Sequence, residues 1–138
     1  MDPKEYMAEA GRRRRRIERK ENEIAMLRVS AEGMMGGDNS DMPKSDSKNL
    51  HKMESAVCKI IALQEEVSEI QKELDTLMSS MREKIQAVND DDARDLLTKR
   101  YLEFKPWKTI AMDIGYSVQH IYYLHNKALE KLRVHKSS

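Results

Sequence analysis

The most regular hydrophobic pattern in the chain runs through residues 50–88, where side chains recur at alternating intervals of three and four. Ten of the eleven positions in this series are apolar, and Lys84 is the exception. Such a series over several heptads is typical of a helix that packs along a coiled-coil seam. We therefore predict an oligomerisation helix over residues 50–89. Its seam residues are Ile60, Leu63, Val67, Ile70, Leu74, Leu77 and Met81.

A weaker apolar stripe precedes this segment, in residues 1–32. Ile17, Ile24 and Leu27 lie seven and three residues apart, which predicts a basic N-terminal helix that ends near Gly33. This helix can fold back on the seam, or two chains can pair through the seam, or both. Residues 33–49 are rich in Gly, Asn, Asp, Ser and Pro and show no apolar period, so we predict a flexible linker there.

Three shorter helices are predicted in residues 90–138. Asn89 and the three aspartates that follow it interrupt the long pattern, and they can cap a first helix over about 91–103. The apolar residues expected to face inward from the three helices are Leu96, Leu97, Tyr101, Leu102, Trp107, Ile110, Ala111, Ile114, Ile121, Leu124, Ala128 and Leu132.

The second and third of these helices are separated by a glycine turn. Pro106 is tolerated at a first helical position, so the second helix is expected to span 106–114. Gly115 accepts the left-handed backbone that a tight turn needs, and Ser117 is a suitable N-cap for a last helix over 118–133. A short helix, a glycine turn and a longer helix form the layout of a helix-turn-helix.

Composition narrows both the fold class and the function. Charged residues make up 36% of the chain and aromatic residues 5%, which suits long helices with one wet face rather than a large globular core. The predicted fold class is all-α: a long helical coiled-coil or hairpin part followed by a C-terminal three-helix helix-turn-helix domain. Cys58 is the only cysteine, so no internal disulfide forms and the cytoplasm is the expected compartment.

Several function classes find no support in the sequence. No apolar run approaches the ~20 residues of a membrane span. There is no phosphate-binding loop, no nucleophile beside a base and no metal-ligand cluster. His120 and His125 do not share a helical face. We therefore expect no enzyme, no catalytic residue, no cofactor and no metal.

The net charge of +1 conceals an uneven distribution. From Arg94 to the end nine basic residues stand against four acidic ones, whereas residues 53–89 hold seven acidic and four basic residues. A basic end suits nucleic acid and an acidic middle suits protein contact, although a solvated charged surface explains the charges equally well. The run Arg12–Arg16 can contact phosphates of DNA or RNA, lie in solvent, or pair with the acidic long helix. A structural or non-specific role is favoured.

The C-terminal segment, residues 94–138, resembles region 4 of the sigma-70 family. The residues that carry the resemblance are Leu97, Arg100, Tyr101, Ile110, Ala111, Gly115, Ile121, Ala128, Leu129, Lys131 and Leu132. Housekeeping members carry arginines at the positions of Val118 and Tyr122, which are uncharged here. The resemblance therefore implies DNA binding at an operator other than the ordinary −35 element.

The order of elements is similar to a narrower group, the small phage and prophage proteins of Gram-positive bacteria. Asp41-Met42-Pro43 and the later Met53-Glu54-Ser55-Ala56-Val57 contribute to this similarity. Several members of that group are late-gene transcription activators. The resemblance implies a phage or prophage activator that works in the cytoplasm of a bacterial host cell, with RNA polymerase as a further partner.

The expected DNA contacts follow from the helix-turn-helix layout, in which the last helix lies in the major groove. Gln and Asn can pair with adenine, and Val can touch a thymine methyl group. The predicted base contacts are Ser117, Val118, Gln119, Tyr122, Tyr123 and Asn126. The predicted phosphate contacts are Arg100, Lys105, Lys108, Lys127 and Arg133. Packing of Tyr122 and Tyr123 against another helix is the alternative for those two residues, and Trp107 is expected in the core.

The leading hypothesis is thus a sequence-specific regulator that binds double-stranded DNA as a homo-oligomer, with a dimer favoured. A DNA-packaging protein similar to a small terminase subunit is the first alternative, although such proteins usually place the DNA module first. The second alternative is a helical adaptor that binds a host protein such as RNA polymerase. A large ring of subunits would favour packaging, and absence of salt-dependent DNA binding would favour the adaptor.

Overall fold

A computed structural model of the chain describes the backbone of residues 1–35 and 43–137 and the side chains of residues 1–33 and 48–133. The described residues form five helices and contain no strand, which confirms the all-α class. The helices are α1 Pro3–Met35, α2 Pro43–Gln86, α3 Asp91–Tyr101, α4 Trp107–Ile114 and α5 Val118–Ser137. No described helix has both the length and the apolar character of a membrane span.

The bounds of the two long helices differ from those that the sequence pattern predicts. Helix α1 continues through Gly33 to Met35, and α2 already begins at Pro43 but ends at Gln86, before the predicted end at residue 89. Residues 43–49, predicted as linker, are therefore helical, and residues 36–42 of that linker lie outside the described residues. Proline is tolerated at the start of a helix because its missing N–H would have no partner there anyway. Pro43 is therefore the first residue of a helix and not part of a loop.

The chain divides into two compact units, one of which is Gly11–Leu74. In this unit α1 and α2 run antiparallel, since Lys20 Nζ lies 2.8 Å from Glu66 Oε2 and Arg13 Nε lies 3.3 Å from Glu73 Oε2. The predicted apolar stripe of α1 and part of the predicted seam of α2 are covered by this pairing. The side chains that it buries are Ile17, Ile24, Ala56, Ile70 and Leu74.

The other unit comprises Met1–Ala10 and Asp75–Ser138. Helices α3, α4 and α5 pack on one another, and fully buried side chains come from each of them. Tyr6, only 2% exposed, donates a hydrogen bond of 2.7 Å from its hydroxyl to the carbonyl oxygen of Tyr101. The unit is thus larger than the predicted domain 90–138, because the first turns of α1 and the end of α2 also supply core. The buried residues from outside 90–138 are Tyr6, Ala10, Met81, Ile85 and Val88.

Local capping chemistry explains where the short helices begin. Asp90 is the N-cap of α3, and its carboxylate accepts a hydrogen bond from the Ala93 N–H at 3.1 Å. Ser117 Oγ accepts from the His120 N–H at 3.1 Å, which confirms Ser117 as the cap of α5. Pro106 precedes α4 as its N-cap and is not its first residue. Gly115 ends α4 with a φ of 87°, as the turn requires.

The predicted inward faces of α3, α4 and α5 are largely confirmed. Eight of the twelve residues are buried: Leu96, Leu97, Tyr101, Ile110, Ala111, Ile121, Ala128 and Leu132. The other four are half-buried: Leu102, Trp107, Ile114 and Leu124. This packing fixes which face of α5 is turned outward.

Candidate nucleic-acid interface

Helix α5 presents a polar stripe on the side opposite its buried residues. Ile121, Ala128 and Leu132 are at most 4% exposed, so residues about half a turn away point outward. Gln119, Tyr123 and Asn126 are exposed and follow one another at intervals of four and three. That spacing places the three side chains along one line on the helix surface, where a single groove of a ligand can meet all of them.

The other three predicted base-contact residues lie at the edge of this stripe. Tyr122 is 47% exposed, and its ring packs edge-on against Trp107 at 5.3 Å between centroids. Val118 is half-buried, and the hydroxyl of Ser117 is engaged in capping the helix. Tyr122 therefore combines the two alternatives, since it contacts another helix and still exposes almost half of its surface.

A cluster of aromatic side chains holds α5 against α3 and the start of α4. Trp107 lies 4.5 Å from the His125 ring and under the guanidinium of Arg100, whose Cζ is 4.4 Å from the indole centroid. The hydroxyl of Tyr101 lies 2.7 Å from His125 Nε2. His125 is three residues before buried Ala128 and four after buried Ile121, so its place beside the core could have been read from spacing. The cluster restrains the rotation of α5 and hence the direction of its outward stripe.

The hydrogen bond between Tyr101 and His125 has a defined polarity. Burial, with a smaller contribution from the charge of Arg100, lowers the pKa of His125 to about 4, and burial raises the pKa of Tyr101 to about 12. At neutral pH the imidazole is uncharged and the phenol keeps its proton. Tyr101 therefore donates to Nε2, which leaves the ring proton of His125 on Nδ1.

Two of the predicted phosphate contacts are engaged by neighbouring protein groups. Lys105 Nζ lies 2.9 Å from Asp113 Oδ2 and 3.3 Å from Glu103 Oε1, and hydrogen bonding to these carboxylates raises the pKa of Lys105. Arg100 donates from Nη1 to the Lys105 carbonyl oxygen at 3.1 Å while it stacks on Trp107. Both side chains thus stabilise the connection between α3 and α4.

The remaining predicted phosphate contacts, Lys108, Lys127 and Arg133, are exposed. Lys127 Nζ lies 5.7 Å from the Tyr123 ring centroid, at the edge of the outward stripe. The nearby Lys131 instead bonds to Asp90, and this hydrogen bond is the main reason that the pKa of Asp90 is lowered. Lys131 thereby links α5 to the capped beginning of α3.

Two residues that sequence reasoning did not assign, Tyr116 and His120, extend the exposed aromatic surface. Their rings are 4.7 Å apart, and His120 stacks on Tyr123 at 5.9 Å. The strip that they form also includes Tyr123 and Lys127. Its four members recur at intervals of four, three and four, and this spacing was visible in the sequence. The strip gives the outer face of α5 flat, hydrogen-bonding groups next to a cation.

The predicted oligomer seam is partly covered within a single chain. Ile70, Leu74 and Met81 are buried, and Ile60, Leu63, Val67 and Leu77 are half-buried. In the unit Gly11–Leu74, Ile24 lines a groove together with Val67, and Ile17 lines another together with Leu74. The chain thus realises the alternative in which the first helix folds back on the seam.

No three His, Cys, Asp or Glu side chains come together in a metal-binding group within the described part of the chain. Comparison with protein-family models, with curated proteins and with solved structures finds no match to this chain.

Proposed function

We propose that the chain is a sequence-specific regulator of transcription that binds double-stranded DNA. In this proposal α4 and α5 form a helix-turn-helix, and α5 lies in the major groove. The observation that carries the proposal is the stripe of Gln119, Tyr123 and Asn126, which projects from a helix whose opposite face is buried.

The chemistry of this stripe suits base edges. Gln and Asn can each form two hydrogen bonds with adenine, and a groove about 12 Å wide accommodates an α-helix. Gln119 and Asn126 are seven residues apart, which corresponds to about 10 Å along the helix. With a rise of about 3.4 Å per base pair, the two amides can reach bases roughly three steps apart.

Phosphate contacts are proposed for Lys108, Lys127 and Arg133, because these side chains are exposed and Lys127 lies at the edge of the stripe. Arg100 and Lys105 act indirectly in this account, since they hold α3 and α4 together and thereby position the reading helix. Phosphate contacts fix the orientation of a protein on the duplex, whereas base contacts supply specificity.

The finer parts of the proposal come from the resemblance to sigma-70 region 4 and to small phage proteins. We propose a late-gene activator of phage or prophage origin that acts in a bacterial host cell and contacts RNA polymerase. Dimerisation through α2 fits this role because paired reading helices bind paired half-sites. Exposed apolar residues on α2 support the pairing of chains, and they are Leu50, Val57 and Ile61.

The test begins with selection of duplexes from a random-sequence library by the full chain. On the enriched duplex, Gln119→Ala or Asn126→Ala should each weaken binding by ~1–3 kcal/mol, because a bidentate base contact is lost. Lys108→Ala should weaken binding to enriched and arbitrary duplexes alike, since a phosphate contact carries no sequence information.

The matched control is Gln64→Ala, which removes the same amide from an exposed position of α2. Its affinity for every duplex should equal that of the unaltered chain. A library that yields no enriched sequence, or Gln119→Ala and Asn126→Ala variants that bind as well as the control, would contradict the proposal.

A further inference from the structure

Four arginines form a continuous basic face on α1. Arg15, Arg16 and Arg19 follow Arg12 by three, four and seven residues, and all four are exposed. We call these four residues the arginine ridge. Arg13 belongs to a different face of the helix, where it pairs with Glu73.

The ion pairs within the described residues of the unit Gly11–Leu74 do not account for three members of the ridge, Arg15, Arg16 and Arg19. The ion pairs between its two helices use Arg13 and Lys20. Within the described part of the chain, Arg15, Arg16 and Arg19 form no ion pair with an acidic side chain. Like charges three and four residues apart repel each other and weaken a helix. A ligand that neutralises the charges of Arg15, Arg16 and Arg19 explains why these arginines occupy one exposed face.

We propose that the arginine ridge binds the phosphate backbone of duplex DNA, as a second contact that does not depend on base sequence. The ridge spans about 10 Å along the helix, close to the ~12 Å width of the major groove, so its two ends can reach phosphates on both strands. Guanidinium groups bind phosphate through two parallel hydrogen bonds. The inference shares its ligand with the proposed function but uses a separate set of residues.

An acidic face of a second copy of the chain is the competing ligand, since Glu65 and Glu69 are exposed on α2. Exposed pairs of carboxylates and arginines contribute little because water solvates both partners well. Phosphate neutralisation on a duplex releases condensed counterions and is therefore much more favourable at low salt. The observations favour the duplex.

The test uses the full chain with Arg12→Gln, Arg15→Gln, Arg16→Gln and Arg19→Gln combined. Binding to a fluorescent duplex of arbitrary sequence is measured by anisotropy at several KCl concentrations. The plot of log affinity against log salt should become shallower by about 3 to 4, and affinity at low salt should fall by roughly tenfold or more. The melting temperature of the free protein should change little, because Arg15, Arg16 and Arg19 form no ion pair within the described residues.

Two control variants separate charge from position. Replacing the same four arginines by lysine keeps the charge and should retain most of the salt dependence. Arg13→Gln removes a charge from another face of the same helix and should leave the slope unchanged. An unchanged slope in the four-glutamine variant would overturn the inference. So would a lower molecular mass of that variant in solution, because the ridge would then bind a second copy.

Failure of the ridge and failure of the proposed function give different results. If Gln119→Ala and Asn126→Ala abolish specificity while the ridge variant binds normally, the proposed function stands and the ridge assignment fails. If the ridge variant loses salt-dependent binding while Gln119→Ala and Asn126→Ala bind every duplex as before, the ridge stands and α5 is not the reading helix.

Discussion

At the scale of single residues, His125 connects three parts of the C-terminal unit. Its ring accepts a hydrogen bond from Tyr101 on α3 and packs edge-on against Trp107 at the start of α4. The hydrogen bond from Tyr101 requires an unprotonated Nε2. A proton on this nitrogen would remove the acceptor and place a positive charge in a half-buried site near Arg100.

The stability of the chain should consequently decrease in mild acid. Folding lowers the pKa of His125 from 6.5 to about 4, so the unfolded chain binds this proton more readily than the folded chain. The stabilising contribution is complete above pH 6.5 and is lost progressively as the pH falls from 6.5 toward 4. Urea unfolding followed by the fluorescence of Trp107 at pH 7.5, 6 and 5 measures this loss.

The matched variants are His125→Gln and His120→Gln. Glutamine at 125 accepts a hydrogen bond but cannot be protonated, so its stability should fall less over this pH range. His120 is exposed, and His120→Gln should follow the unaltered chain. Parallel curves for all three proteins would show that His125 does not titrate as described.

Individual side chains also show where charge patterns mislead. Lys105 and Lys131 lie in a basic segment, yet Lys105 pairs with Asp113 and Glu103, and Lys131 bonds to Asp90. The sequence shows that a lysine is present but does not show which carboxylate the fold brings next to it. Among the described residues, Lys108 and Lys127 form no ion pair with a carboxylate and remain the stronger candidates for phosphate.

At the scale of secondary structure, the turn between α4 and α5 determines where α5 begins. Gly115 has a φ of 87°, and a methyl group added there would meet no atom within 4 Å. A substitution at Gly115 is therefore penalised by backbone conformation alone. Gly33 also has open space around it, but it lies inside helix α1. The penalty from backbone conformation is therefore absent at Gly33.

Gly115→Ala should lower the free energy of unfolding by about 1–2 kcal/mol, because an L-residue resists the left-handed region. Gly115→Asn should cost less, since asparagine tolerates that region better. Gly33→Ala should be neutral or stabilise by up to about 1 kcal/mol. Chemical denaturation of the three variants tests this order, and equal effects at positions 33 and 115 would contradict the assigned backbone conformation.

Local sequence signals predict caps, turns and buried helix faces well where the residue type suits only one structural role. The cap at Ser117, the turn at Gly115 and the buried faces of the short helices follow from capping chemistry and periodicity. The start of α2 cannot be predicted in this way, because proline occurs both within loops and at the first position of a helix. Pro43 does the latter.

At the scale of the whole molecule, long-range contacts decide which residues form a unit. Tyr6 and Ala10 pack with residues from the C-terminal part of the chain, and Tyr6 bonds to the Tyr101 carbonyl. The sequence gives little warning of this contact, since 95 residues separate the two tyrosines. A fragment that starts at residue 90 lacks these core residues.

The face of α1 that packs against other parts of the chain is also longer than the apolar stripe predicted from the sequence. Its residues recur at alternating steps of three and four, and they are Tyr6, Ala10, Arg13, Ile17, Lys20, Ile24 and Leu27. Arg13 and Lys20 occupy two of these steps, and they face Glu73 and Glu66. A search for apolar periodicity passes over such positions, because their partners are carboxylates on another helix.

The central claim is that the outer face of α5 reads bases, and a change of preference tests it more directly than a loss of binding. Duplexes are selected from a random library by the unaltered chain and by Asn126→Arg. Asparagine pairs with adenine and arginine with guanine. The sequence selected by the variant should therefore contain guanine in place of adenine at one position and be unchanged at the other positions. An identical selected sequence for both proteins, or no enrichment by the unaltered chain, would contradict the account.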